Sequence, residues 1–136
     1  MYETFEHTAD IGLRIRAGNL NELFADAGRA LFSLIVSNLD AVRPIEEVNF
    51  DIRGQRYDDL MVDWLSALLL TFETRKLLFS QFDPVVAANG LKAAVRGEPL
   101  DPARHQLDME VKAITYHGLK VEHDGREWQA EVIVDI

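Results

Sequence analysis

Two aspartates and one chain end are the groups best placed to do chemistry. The chain closes Val-Ile-Val-Asp-Ile, so the Asp135 carboxylate lies one residue from the α-carboxylate of Ile136. Read as the protein's own end, this terminus presents two anions at neutral pH, because Asp and α-carboxyl groups titrate near about 3.9 and 3.5. Near the other end, Asp10 sits in His7-Thr8-Ala9-Asp10-Ile11-Gly12. If the fold joins the ends, three carboxylates converge. Such a cluster repels itself unless protons or a hard cation neutralise it, and an all-oxygen ligand set suits Ca²⁺ or Mg²⁺. Each acid also has a plainer reading. A terminal strand frays into water, and a lone loop Asp caps an Asx-turn.

The other chemically interesting positions are equally open at this point. His7 reads as a ligand, a general base or a solvated strand residue. His117, before Gly118, has the same three readings. Lys112 lies on an apolar stretch between Val111 and Ala113, where it either snorkels or offsets nearby carboxylates. His105 and His123 read as loop and hairpin surface positions. Asp58, Asp59 and Asp63 read as a helix cap plus a solvated face. No phosphate-cradling GxxxxGK[ST], no GxGxxG and no GxSxG occurs, and no serine has a neighbouring base. No Cys is present, which excludes disulfides, thiolate catalysis and Cys-ligated zinc. The chain therefore does not read as a self-sufficient NTPase or acyl-transfer enzyme.

The elements that must position these residues follow from periodicity. Tyr2–His7 and residues 12–17 predict strands, the second with Leu13 and Ile15 alternating with Arg14 and Arg16. Thr8-Ala9-Asp10 predicts the turn between them. Asn19 as N-cap, with Glu22 three residues on, opens a helix whose stripe is Leu20, Leu23, Phe24, Ala27, Leu31, Leu34 and Ile35. Val48, Phe50 and Ile52 predict a half-wet strand. Residues 57–76 predict a second, central helix with Asp58 and Asp59 at its start and Arg75 and Lys76 at its end. The remainder reads as β-rich: strands over 77–82, 85–88 and 91–96, a loop over 98–105, then strands over 107–115, 119–123 and 126–136. Asn89-Gly90 and Asp124-Gly125 give hairpin signals. In the last strand Trp128, Ala130, Val132, Val134 and Ile136 share one face, and Gln129, Glu131, Ile133 and Asp135 the other. Two helices among about eight hairpin-linked strands predict an α+β fold, a single domain over 1–136 with a largely antiparallel sheet.

A length of 136 residues suffices for one core. No stretch predicts a signal peptide or a membrane span, so the expected location is cytoplasmic. The net charge of −9 disfavours strong direct binding to nucleic acid, which depends on Lys and Arg. It suits solubility, or a basic partner.

The His7-Thr8-Ala9-Asp10-Ile11-Gly12 stretch, the Glu110-Val111-Lys112-Ala113-Ile114-Thr115-Tyr116-His117 stretch and the Asp135-Ile136 ending together resemble the archease family. Leu23-Phe24, Asp63-Trp64-Leu65 and Gly97-Glu98-Pro99 are similar to it as well. The resemblance spans the chain. It implies an accessory protein, not an enzyme, with no catalytic residues of its own. Its expected partner is an RtcB-type RNA ligase, which joins a 3′-phosphate or 2′,3′-cyclic phosphate end to a 5′-hydroxyl end in tRNA splicing and RNA repair. It implies acceleration of the ligase's GTP- and Mn²⁺-dependent guanylylation, and multiple turnover. The family's metal-binding acids fall on Asp10 and Asp135, completed by the Ile136 carboxylate. The cofactor is then a divalent cation, Ca²⁺ or Mg²⁺/Mn²⁺, with His7, Lys112 and His117 as supporting or partner-binding residues. The rival readings are a small metal-dependent phosphohydrolase, with His7 or His117 as base, and a chaperone-like module for RNA-modifying proteins.

Overall fold

The first and last regular strands of the chain lie in one sheet. This computed structural model describes residues 1–7 and 9–136. Its elements run β1 (Tyr2–His7), β2 (Asp10–Ala17), α1 (Leu20–Ile35), β3 (Glu46–Arg53), α2 (Tyr57–Arg75), β4 (Leu77–Ala87), β5 (Gly90–Pro99), β6 (Ala113–Ile114), β7 (Lys120–His123) and β8 (Trp128–Asp135). A five-stranded sheet has the order β1-β2-β8-β6, with β7 pairing the other half of β8. A three-stranded sheet has the order β3-β5-β4. Every pairing is antiparallel. The two helices each touch strands of both sheets. This is the expected α+β architecture around one continuous hydrophobic core.

The core explains the register of the five-stranded sheet. On β2, Leu13 and Ile15 point inward and are fully buried. Their partners on β8, Val132 and Ala130, are buried too. A slip of one residue would expose this set, so the register is firmly specified. α1 begins as expected: the Asn19 side-chain oxygen accepts the Glu22 N–H at 2.9 Å, satisfying an orphan donor of the first turn. α2 is tied to α1 through Trp64, which is fully buried and donates its indole N–H to the Phe24 carbonyl at 2.8 Å.

Several elements differ from the sequence-based expectation, each for a physical reason. Asp10 is the first residue of β2 rather than a turn residue. The expected turn at Thr8-Ala9-Asp10 falls partly outside the described residues, since it includes Thr8. β4 is continuous through Asp83 and Pro84, which pairs with Ala93. An edge strand tolerates proline because its outer side needs no ladder donor. Ala87 pairs with Gly90, so the hairpin loop is Ala88-Asn89 and Gly90 is a strand residue. That glycine answers to close packing: a Cβ there would collide with the Ile52 carbonyl oxygen on β3. The second hairpin has a longer loop than two residues, with the Asp124 carboxylate accepting the N–H groups of Arg126 and Glu127 at 2.8 and 2.9 Å.

Residues 107–115 do not form one strand. Leu107 makes a single bridge to Val36. Asp108 and Met109 then donate their N–H groups to Ile35 and Leu34 at 2.9 Å. The segment spends its backbone donors on the carbonyls that the end of α1 leaves free, and only Ala113–Ile114 reaches the sheet.

His105 is buried, not a surface residue. Its side chain is 0% exposed, and it sits beside Glu98 at 5%. Glu98 accepts two hydrogen bonds from Arg104, at 2.8 and 3.0 Å, and the Arg43 N–H at 2.7 Å. His105 Nδ1 accepts the Asp101 N–H at 2.9 Å. Its Nε2 therefore carries the proton and donates to Glu98 at 3.0 Å. This clasp ties the end of β5 to the loop after α1 and launches the segment that leads to β6.

Candidate functional site

Asp10 pairs directly with Asp135 in the β2–β8 ladder. On the same outer face His7 of β1 pairs with Asp10, and Ala113 of β6 pairs with Asp135. The row across four strands is thus His7, Asp10, Asp135, Ala113. Directly opposed residues in such a ladder place their Cβ atoms about 4.5–5.5 Å apart. Two carboxylates at that separation can share one ion whose oxygen ligands stand at about 2.3–2.6 Å. Both aspartates are part-exposed, so solvent and an incoming group can reach them.

A shallow hollow of about 370 Å³ opens at this end of the sheet, lined by Glu6, His7, Ala9, Asp10, Ile11 and Ile136. Asp10 and the last residue share this hollow, while Asp135 stands on the outer row beside it. Ala9 enters the hollow with φ at +62°, a left-handed conformation that an alanine adopts at a cost. This strain sits one residue from Asp10 and helps swing the chain from β1 into β2.

The remaining expected residues divide. The His7 Nδ1 lies 3.9 Å from an Asp10 carboxylate oxygen, beyond hydrogen-bond length but within reach of a charge interaction once the imidazole is protonated. Lys112 contributes through its backbone, donating its N–H to the Asp135 carbonyl at 2.8 Å, and its side chain is exposed. Continuing the Ala113–Asp135 register places Lys112 opposite Ile136. His117 is not brought into the row. It lies in the exposed turn between β6 and β7, where its N–H meets the Thr115 hydroxyl at 3.3 Å.

Among the described residues no three His, Asp or Glu residues are placed to hold a metal ion together. A chelate here rests on two opposed side chains and needs further oxygen donors. Ile136 lines the hollow with Asp10, and an open hollow leaves room for donors from a partner. The oxygen-only set fits a hard divalent cation.

Next along the outer face are two further rows that the sequence pattern did not single out. Phe5 pairs with Gly12, which pairs with Ile133. Ile133 is only 4% exposed although it points to the outer face. A Cβ on Gly12 would fall within the Phe5 ring, so glycine is the residue that lets the ring lie on β2. Beyond it, Arg14 donates to Glu131 at 2.9 Å and to Glu3 at 3.0 Å, with its guanidinium carbon 4.7 Å from the centre of the Phe5 ring. These two carboxylates raise the Arg14 pKa further above its ordinary value, mainly through the Glu131 hydrogen bond. The signal available in the sequence was an aromatic and a glycine on adjacent strands.

Comparison with known proteins gives the family of the whole chain. The model of the Archease protein family (MTH1598/TM1083) matches residues 2–136. The protein archease of Methanopyrus kandleri is 42% identical over 139 aligned positions, covering 99% of each chain. That of Pyrococcus abyssi is 38% identical, covering 99% of this chain and 98% of its own. The solution structure of Methanobacterium thermoautotrophicum protein 1598 superposes with a TM-score of 0.88 at 29% identity, covering 99% of this chain and 98% of that one. The crystal structure of an archease, possible chaperone, from Thermotoga maritima gives a TM-score of 0.70 at 25% identity, over 100% and 98% of the two chains. The chain belongs to the archease family.

Proposed function

We propose that this member of the archease family is an accessory protein that activates an RtcB-type 3′-phosphate RNA ligase, and that the acid pair is its working part. The observation that carries the reading is the direct cross-strand pairing of Asp10 with Asp135. Like charges opposed in a ladder destabilise it, so such a pair is retained where an external cation or a basic partner neutralises it.

Asp10, Asp135 and the Ile136 carboxylate would hold a divalent cation, Ca²⁺ or Mg²⁺/Mn²⁺, at the rim of the hollow. When bound, the cation supplies neutralisation of phosphate charge. The chain's own residues do the rest. The two aspartates would hold it on the outer face of the sheet. His7 and Lys112 would flank it and favour an anionic partner group, and His117, in the exposed turn away from the row, would contact the partner elsewhere. Acids presented in trans at the mouth of a ligase site tune the charge around GTP during guanylylation of the ligase's histidine, which is a problem of positioning and electrostatics.

The acidic balance of the chain, −9 overall, supports contact with a basic protein surface rather than with RNA alone. The setting is tRNA splicing and RNA repair in the cytoplasm. A second reading, a chaperone-like module for RNA-modifying proteins, draws on the description of the Thermotoga maritima relative as a possible chaperone. The experiment is to add the purified chain to an RtcB-type ligase with limiting enzyme, GTP and Mn²⁺. The activator reading expects more than one ligation per ligase molecule. A ligase that stays at one turnover refutes it.

A further inference from the structure

We infer that Phe5, seated on Gly12, is a positioning residue for the acid pair: its ring walls Arg14 off from Asp10 and Asp135 and leaves their charge for an external cation. The inference rests on the cation reading of the site proposed above.

The outer face of the five-stranded sheet is organised in rows. The acid row is Asp10 and Asp135. The next is Phe5, Gly12 and Ile133. The third is Glu3, Arg14 and Glu131. Arg14 is thus the arginine nearest the acids on their own strand, two rows away, roughly 14 Å along the backbone. A free guanidinium on a long side chain swings toward the strongest uncompensated negative charge within reach. Beyond Glu3 and Glu131, the next acids on that face are Asp10 and Asp135.

Three restraints hold it back. Two are its carboxylate partners, but these ion pairs are part-exposed, with Arg14 at 35% and Glu3 and Glu131 at 47% and 27%. Exposed pairs of this kind contribute little and exchange readily. The third is the ring. It fills the space above Gly12 that Arg14 would cross, and its face gives the guanidinium a platform at 4.7 Å. Glycine at position 12 is what allows that seat, since any side chain there would lift the ring.

The consequence is electrostatic. A guanidinium moved from about 14 Å to about 8 Å from a divalent ion weakens its binding about two-fold in water. Keeping Arg14 in its own row keeps the guanidinium charge away from the acid pair.

The test uses Mn²⁺ as the probe and reads its paramagnetic broadening of backbone amides in the full chain by NMR. In the parent protein the amides of Asp10 and Ala113 broaden first. Phe5→Ala opens the wall and needs about two-fold more Mn²⁺ for the same broadening. Gly12→Ala displaces the ring without removing it and shifts the titration the same way. Phe5→Leu keeps the wall and titrates like the parent. The decisive variant is Phe5→Ala combined with Arg14→Gln. It titrates at least as tightly as the parent, although it removes the ion pairs of Arg14 with Glu3 and Glu131 as well and so is no better folded than Phe5→Ala. A Phe5→Ala titration equal to the parent, or a double variant as weak as Phe5→Ala, overturns the inference while the cation site stands. A parent protein whose Asp10 and Ala113 amides do not respond overturns the cation reading and this inference with it.

Discussion

Asp10 and Asp135 come from the two ends of the chain and face each other across the β2–β8 ladder, where unlike charges would stabilise the sheet and like charges do not. On the proposed cation reading, stability and function therefore pull in opposite directions at these two positions. Asp10→Asn and Asp135→Asn are each expected to raise stability by a few tenths to about 1 kcal/mol, read by urea or thermal unfolding. The same variants are expected to lose cation binding. Loss of stability on neutralising either residue would contradict the unneutralised-pair account.

A second expectation concerns Ala9. Its φ of +62° costs about 1–2 kcal/mol for an L-residue, against about 0.5–1 kcal/mol of extra chain entropy for glycine. Ala9→Gly is expected to stabilise the protein by about 0.5–1 kcal/mol. Unfolding curves that show no gain would mean the turn is unstrained.

The buried clasp gives a pH signature. Hydrogen bonds from Arg104, foremost, then from the Arg43 N–H and His105, hold the Glu98 carboxyl at about 2 against the opposing effect of burial, where 4.5 is ordinary. The unfolded chain binds this proton more readily. The stabilisation is thus fully present above about pH 4.5 and is lost as pH falls through that value toward 2. Glu98→Gln removes this slope and leaves Arg104, His105 and the Arg43 N–H a single neutral amide oxygen in place of the carboxylate, at a cost of about 2 kcal/mol or more near neutrality. Unfolding free energies across pH 2–7 for the parent and the variant check both statements; parallel curves would contradict them.

The same clasp predicts a tautomer. His105 Nδ1 accepts a backbone N–H and Nε2 faces Glu98, so ¹⁵N shifts of the ring are expected to report a neutral imidazole protonated at Nε2. A ring protonated at Nδ1 would mean that Asp101 and Glu98 are not its partners.

The features readable from sequence were those with a local cause. The alternation in β2, the Asn19 cap and the two-faced final strand are set by residues within a few positions of one another, and the structure has them. The meeting of Asp10 with Asp135 is a property of sheet order, which periodicity does not encode; it entered as a condition on the ends joining. Residues 107–115 look like a strand because their apolar residues alternate, yet their donors go to the end of α1, a demand made by a helix far away in sequence. His105 looks like a loop residue because its neighbours are polar, and only the placement of Glu98 and Asp101 around it explains its burial. Gly90 looks like a turn residue, but the constraint on it comes from β3 across the sheet. The differences at 107–115 and Gly90 trace to partners distant in the chain, and that at His105 to the loop that folds Glu98 and Asp101 around it.

The most direct measurement of the central claim is the rate of ligase guanylylation with GTP and Mn²⁺ in the presence of the parent protein, Asp10→Ala or Asp135→Ala, all confirmed folded. The account predicts acceleration by the parent and none by either variant. Full acceleration by both variants would show that the paired acids are not what activates the ligase.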